Sequence, residues 1–438
     1  MPVINLPGRA CSSRVVVAAS ALVLGITSFG GDASAQSATY DPQVGAPTRY
    51  QAPHEGFLNG KFWTDFRYRY EHVNQAGLPK NANASTLRNK TGVESGFFHG
   101  FRAGVEGEFV LEIGPDDFNN TINGRTQYPI VVDVESAEVD QAYLESHNIP
   151  GVVLLGGRFL ENLDNLRYVG SVAWRQNDQT FDGGKATITA IPGVELLYAY
   201  IGNVNRIFSD SSPIGNIHSN IHLMHAKSQK YSFGQLTAYT YLMDLYDLDR
   251  LSNASYGGFL KGKQKVGDSL AYHYRLEYAH QTNYGDSPLN YGADYVRVEQ
   301  GLSKGGFTGS FVYELLGSDN GVAAFQTPLA TGHIFNGFAD VFLVTPPTGL
   351  QDFYVQAKYK VPSGSGGPFS YFGGLLLLAQ YHEYRSAVRS LDYGSEFDFY
   401  AYLPIRDGFY AQAKYANYKA DEFFVDVQKV IFGLGYQY

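Results

Sequence analysis

The chain has one cysteine, two tryptophans and three methionines in 438 residues. Cys11 lies ahead of the apolar run Val15 to Ile26, so any cleavage behind that run removes it. The remainder then has no thiol, which excludes disulfides, cysteine nucleophiles and thiolate metal sites. Behind the leader no stretch reaches the roughly 18 apolar residues of a membrane helix. No Pro/Gly/Ser-rich linker divides the chain into domains. Positive charge is in deficit, with a formal net charge of −9, so a nucleic-acid partner is disfavoured.

What the sequence does have is rings. The 34 tyrosines, 29 phenylalanines and 49 glycines are an all-β balance. Arg9 and Arg14, the apolar run and Ala33-Ser34-Ala35 read as a secretory signal cut after Ala35. Residues 36–60 are irregular and too short for a plug domain. From Lys61 onward, ring and charge alternate with period two. Phe62, Phe66, Tyr68 and Tyr70 face one way, and Asp65, Arg67 and Arg69 the other. The same pattern returns in Phe101 to Phe109, Leu270 to His280, Phe353 to Tyr359 and Val430 to Tyr438. A dyad repeated along an exported chain is the signature of a transmembrane antiparallel β-barrel, with rings in lipid and charges in a wet lumen. At roughly 20 to 24 residues per strand and turn, the chain from residue 36 to 438 makes about 18 strands, within a range of 16 to 20. The last strand, with its apolar face and final Tyr438, looks like a signal for the barrel assembly machinery.

Several longer stretches resemble the alginate-export family of outer-membrane proteins. They are Phe97 to Phe101, Glu138 to Leu144, Leu163 to Gly170, Trp174 to Asp182, Tyr200 to Phe208, Gln326 to Ala330, His333 to Asp340 and Thr345 to Asp352. The resemblance implies an 18-stranded monomeric barrel in the Gram-negative outer membrane. It also implies export of an anionic polysaccharide through an arginine-lined constriction, with a periplasmic export partner as a further expectation.

For the lumen, the alternation selects the cations Lys61, Arg67, Arg69, Arg88, Lys90, Arg102 and Arg158. It also selects the anions Asp65, Glu94, Glu106, Glu108, Glu138 and Asp140. Arginine suits a uronate cargo because its planar fork grips a carboxylate with two hydrogen bonds and stays charged. Near-equal numbers of each sign fit equally well a cross-strand ladder that stiffens the wall. The basic residues concentrate on the first two strands, and a basic arc facing an acidic one would set up a transverse field. Asp164, Arg167, Arg175 and Asp178 sit in a long polar stretch between strands, Leu163 to Phe181. Folded inward it forms the constriction; folded outward it is an extracellular loop held by its own salt bridges. No cofactor or metal is expected. The oxygen-rich stretches Asp116 to Asn120 and Asp244 to Asp249 lack the ligand order of a calcium loop, and His218, His222 and His225 cannot share one face of a strand. The expected function is therefore a channel for an anionic polysaccharide or another anionic solute. A general or small-solute diffusion porin is the alternative, and an enzyme built into the barrel wall ranks below both.

Overall fold

A computed structural model describes residues 59–438 except 268 and 364–369; the signal peptide and most of the 36–60 segment fall outside the described residues. The first strands are β1 (Lys61–Gln75), β2 (Ala82–Glu94), β3 (Phe101–Asp117), β4 (Ser136–Ile149), β5 (Val152–Phe159) and β6 (Thr180–Ile188). Next come β7 (Val194–Asn205), β8 (Asn216–Ser228), β9 (Gln235–Leu245), β10 (Asn253–Val266), β11 (Leu270–Asn283), β12 (Gly292–Lys304) and β13 (Phe307–Leu316). A small hairpin, β14 (Ser318–Asp319) and β15 (Ala323–Ala324), precedes β16 (Leu350–Lys360), β17 (Leu376–Arg385), β18 (Asp392–Pro404), β19 (Phe409–Ala420) and β20 (Val427–Gln437).

All but the small hairpin join one 18-stranded sheet. Each strand pairs antiparallel with its neighbour, and β1 pairs antiparallel with β20, from Asp65 opposite Gln437 to Gln75 opposite Val427. An even number of strands lets the two ends meet in this sense, and closure leaves no edge exposed. Backbone bonds in both directions between Thr64 and Tyr438, at 3.0 and 2.9 Å, extend the seam past the last strand residue.

The period-two pattern sets the register. Phe62 and Phe66 are 42 % and 43 % exposed on the outside, whereas Arg67 and Arg69 are each 2 % exposed on the inside. Val105, Phe109, Val355, Phe432 and Leu434 continue the exposed apolar belt around the wall. Slipping any strand by one residue would put its charges into that belt, at roughly 2 to 4 kcal/mol for each arginine or lysine near the midplane.

The two ends of the barrel differ. Where β1 begins, turns are as tight as 150–151 and 305–306. Gly305 has φ +58°, a left-handed conformation that costs glycine nothing. At the other end run 118–135, 160–179 and 317–349. In bacterial barrels short turns are periplasmic and long loops extracellular.

Candidate functional site

The connections 160–179 and 317–349 both fold into the barrel. The first is tied down by the arginines of β1. Arg67 donates to the Ala173 carbonyl at 2.9 Å, to Gln176 Oε1 at 3.0 Å and to the Arg175 carbonyl. Arg69 donates to the Trp174 carbonyl at 2.7 Å and pairs with Glu71. Gln176 answers from the loop, donating to Thr86 Oγ1 at 2.9 Å, and Arg175 reaches Glu71 at 2.9 Å. Asp133, from the 118–135 connection, backs this layer 3.6 Å from Arg69 and 3.8 Å from Arg175. Of the two alternatives for the Leu163 to Phe181 stretch, the inward one holds. Its salt bridges run to the wall and to the other loops, and its last two residues belong to β6.

Next to this anchor lies a cluster dominated by acid. The Lys90 ammonium is 2.6 Å from Asp140, 3.4 Å from Glu108 and 3.6 Å from Glu106, and it also bonds Asp178. Arg88 pairs with Asp65 at 2.8 Å. Glu108, Asp140 and Asp178 bring oxygens within 4.8 Å of one another, a donor set that a hard cation would accept. Lys90 already supplies the positive charge at that point. Glu138 is half-buried and accepts from the Asp210 amide at 3.1 Å. Towards the short-turn end, Arg102 bridges Glu94 at 2.9 Å and Glu145 at 3.0 Å, and Lys61 is 3.4 Å from Glu94.

Arg158 is not on the lumen face expected for it. It is in register with Ala142 and Asp182, while its neighbour Phe159 is buried inside. Its guanidinium bonds Asp182 at 2.7 and 2.9 Å and the carbonyl of Val139, whose side chain is exposed on the outer belt. Arg158 is thus on the outer face near the long-loop end. Within β5 the alternation is intact, with Leu155 and Phe159 packed inside and Leu154 exposed outside, so Arg158 was placed on the wrong face by a count that did not start from its own strand.

The second loop is clasped on the opposite side. Asn336 donates to Glu314 at 2.7 Å and to Asp352 at 3.0 Å. The amides of Phe338 and Ala339 bond Asp398 and Glu396 at 3.0 and 2.6 Å. Asn336 and Gly337 turn through φ +54° and +89°, and a Cβ on Gly337 would run into Glu396 and Tyr384. Arg167, from the first loop, crosses to Glu314 at 3.1 Å and to Asn336 at 3.0 Å.

The two loops meet in the middle. Val169 and Leu329 form a parallel bridge, and the Thr331 amide donates to the Leu166 carbonyl at 3.1 Å. The Trp174 ring stacks on His333 at 3.4 Å with 11° between planes. His333 Nε2 is 2.9 Å from Lys414 Nζ and Nδ1 is 2.8 Å from Asp340. A lysine ammonium can only donate, so Nε2 accepts and the ring proton sits on Nδ1. Burial, then the adjacent Lys414 charge, pushes the imidazole down to about 3. Burial alone would raise Asp340, but Lys429 and His333 hold its carboxyl well below the usual range.

A cavity of about 290 Å³ lies against β10 to β17. Lys261, Arg275 and Arg297 line it with Phe335, Phe338 and Tyr354. Asp164 takes Lys261 at 2.6 Å together with Arg275, and Arg297 is shared between Glu299 at 3.2 Å and Glu314 at 3.4 Å. Burial opposes the Asp164 charge, yet Arg275 and Lys261 hold its carboxyl below the ordinary value. On the same face of β10, Lys263 and Lys265 continue exposed towards the short-turn end, and among the described residues nothing pairs with them. The alternation did not lead us to this wall, although Lys261-Gly262-Lys263-Gln264-Lys265 shows it in the sequence as plainly as β1 shows its arginines.

No family model matches the sequence, and no curated protein matches it. Solved structures do match. A crystal structure of Acinetobacter baumannii OccAB4 superposes with TM-score 0.69 at 13 % identity, covering 86 % of this chain and 98 % of that one. OccAB2 from the same organism gives 0.69 at 16 %, with 88 % and 99 % covered. Pseudomonas aeruginosa OpdK, solved with vanillate, gives 0.64 at 15 %, with 87 % and 100 % covered. The fold is a closed 18-stranded antiparallel barrel, the fold of OccAB4 and of the outer membrane protein OpdK. At these identities the likeness shows the fold. It adds nothing to the alginate-export resemblance of the motifs.

Proposed function

We propose that the chain is a passive channel of the Gram-negative outer membrane for small anionic solutes, entering past the two inward loops and leaving along the β10 to β16 wall. It is not an enzyme on this reading, and because one chain encloses the whole path, one copy suffices. The observation that carries the proposal is the cavity in which Lys261, Arg275 and Arg297 stand beside Phe335, Phe338 and Tyr354. Cations beside ring faces suit a carboxylate carried on an apolar or aromatic body. Vanillate, the molecule solved with OpdK, has that chemistry. The cavity volume is at the small end of the roughly 300 to 1,000 Å³ that small-molecule sites occupy.

Export of an anionic polysaccharide is the finer reading that the motifs imply. It is the less favoured one here, because a polymer would have to part the Val169–Leu329 bridge and the Trp174–His333 stack along its whole passage. Planar-bilayer recordings separate the two. A single-ring carboxylate should block the open channel transiently, and more strongly than its neutral amide does. Block by an oligouronate alone would favour the polymer, and equal block by acid and amide would sink the anionic reading.

A further inference from the structure

At the end of the cavity away from Lys261, two neutral amides stand together. Gln356 of β16 and Gln380 of β17 are opposite each other in register, and both line the cavity at 7 % exposure. Gln380 Nε2 donates to Gln356 Oε1 at 3.1 Å. The return bond that would close the pair is not made. Among the described residues nothing bonds the Gln356 NH₂ group or the Gln380 carbonyl oxygen. Their neighbours in register are engaged elsewhere. Ser310, next to Gln356, pairs with His273 Nε2 at 3.1 Å, and Asp398, next to Gln380, accepts from the Phe338 amide at 3.0 Å.

The pair therefore offers one donor group and one acceptor side by side. Turning both amides over exchanges the two roles and leaves the same offer, so the conclusion does not depend on which way they point. A carboxylate or an ether oxygen only accepts, and an ammonium only donates. A hydroxyl does both through one atom. Lumen water competes for the same place, and a solute group displaces it without loss only when it makes both bonds.

We propose that Gln356 and Gln380 determine specificity in the channel, selecting carboxylates whose body carries a hydroxyl at the end away from the carboxylate. The proposal rests on the reading of the cavity as an anion path. Lys261, Arg275 and Arg297 stand on β10, β11 and β12, four to two strands from β16. At about 4.8 Å per strand that is roughly 10 to 19 Å along the wall, shortened inside by the reach of the side chains. A ring with its two polar groups at opposite ends matches this spacing. Its body lies among Phe335, Phe338 and Tyr354, with the carboxylate towards the cations and the hydroxyl towards the amides.

The test is block of single-channel current at pH 7 by benzoate, 4-hydroxybenzoate, 4-methoxybenzoate and 4-carbamoylbenzoate, with benzamide as the uncharged reference. In wild type 4-hydroxybenzoate should block at about tenfold lower concentration than benzoate, the size expected for two neutral hydrogen bonds made in place of water. The methoxy compound, which has no proton to give, should lose that gain. Gln356→Met with Gln380→Met removes both amides at similar volume and should bring the ratio of hydroxybenzoate to benzoate block close to one. Val355→Leu, on the same strand but exposed on the outer face, should keep the wild-type ratio. Equal block by benzoate and 4-hydroxybenzoate in wild type, both stronger than benzamide, would overturn the role of the amides and leave the anion channel standing. So would an unchanged ratio in the double variant. Stronger block by the carbamoyl compound than by the hydroxyl one would overturn the choice of hydroxyl. If benzoate blocked no better than benzamide, the anion reading would fall, and this proposal with it.

Discussion

The β1–β4 wall and the β10–β16 wall follow the same rule of alternating ring and charge, yet their charges have opposite fates. Arg67, Arg69, Arg88 and Lys90 are 2 to 5 % exposed, and their donors go to loop carbonyls and to carboxylates. Lys263 and Lys265 keep their ammonium groups in water. Alternation decides which face a side chain takes; what covers that face decides its work. A buried, paired arginine holds structure, because its field is spent on the groups around it. An exposed, unpaired lysine row sets the potential that a passing ion meets.

The contrast is broken most severely at the anchor. Arg69→Ala takes from buried Glu71 and Asp133 one of their two guanidinium partners, leaving Arg175, and frees the Trp174 carbonyl. Removing one partner of a buried ion pair costs about 3 to 5 kcal/mol. The unboiled, fast-migrating form should melt at lower temperature, and protease should cut the 160–179 loop. Conductance should rise as the loop leaves the lumen. Unchanged melting and conductance would mean that Arg69 is not the anchor.

On the other wall, Lys263→Glu with Lys265→Glu should leave folding and conductance nearly unaltered and shift the reversal potential in a salt gradient several-fold towards cations. Salt should shrink the effect, since exposed charges are screened within about 8 to 10 Å at physiological ionic strength. A large loss of folded protein would show these lysines to be structural like those of β1, and the two walls would no longer differ.

A smaller, pH-dependent effect belongs to the junction of the loops. His333 is neutral in the fold, pushed down to about 3 from an ordinary 6.5. The unfolded or undocked loop therefore binds the proton first. The docking that depends on neutral His333 is fully present above pH 6.5 and declines by up to about 1.4 kcal/mol per unit as pH falls towards 3. Asp340, Lys414, Lys429 and Arg175 face the same cluster, and of these Asp340 stays ionised over that window. Current noise from loop motion should grow between pH 6 and 4 in wild type. In His333→Gln it should be independent of pH, and an identical pH response in that variant would remove His333 from the account.

The barrel was legible in the sequence because period two is a local signal, repeated in every strand and enforced by lipid on one side. Its strand number followed from length. The inward course of 160–179 was open, because the partners that pull it in, Arg67 and Glu314 among them, lie on strands far away in sequence. For the same reason the basic arc of β1 and β2 looked like a pore lining. Nothing local to Arg67 says that Gln176 will cover it. The cavity on the far wall combines residues from β10 to β17 with one loop, a grouping that only closure of the sheet creates.

The smallest expected effect tests the face rule itself. Arg158 was assigned to the lumen by alternation and is on the outside, paired with Asp182, their side chains 31 % and 35 % exposed. Asp182 keeps hydrogen bonds from Asn203 at 3.4 Å and from Asn205 at 3.0 Å when the guanidinium is gone. An exposed pair of this kind contributes about 0 to 1 kcal/mol. Arg158→Ala should therefore barely move the melting of the folded form. Because the wall stands between Arg158 and the ion path, the reversal potential should stay where wild type puts it, in contrast to the β10 lysines. A clear shift towards cations in Arg158→Ala would mean that its charge is felt inside. The outer placement of Arg158 would then be the error, and the division into an anchoring wall and a conducting wall would have to be redrawn with β5 on the conducting side.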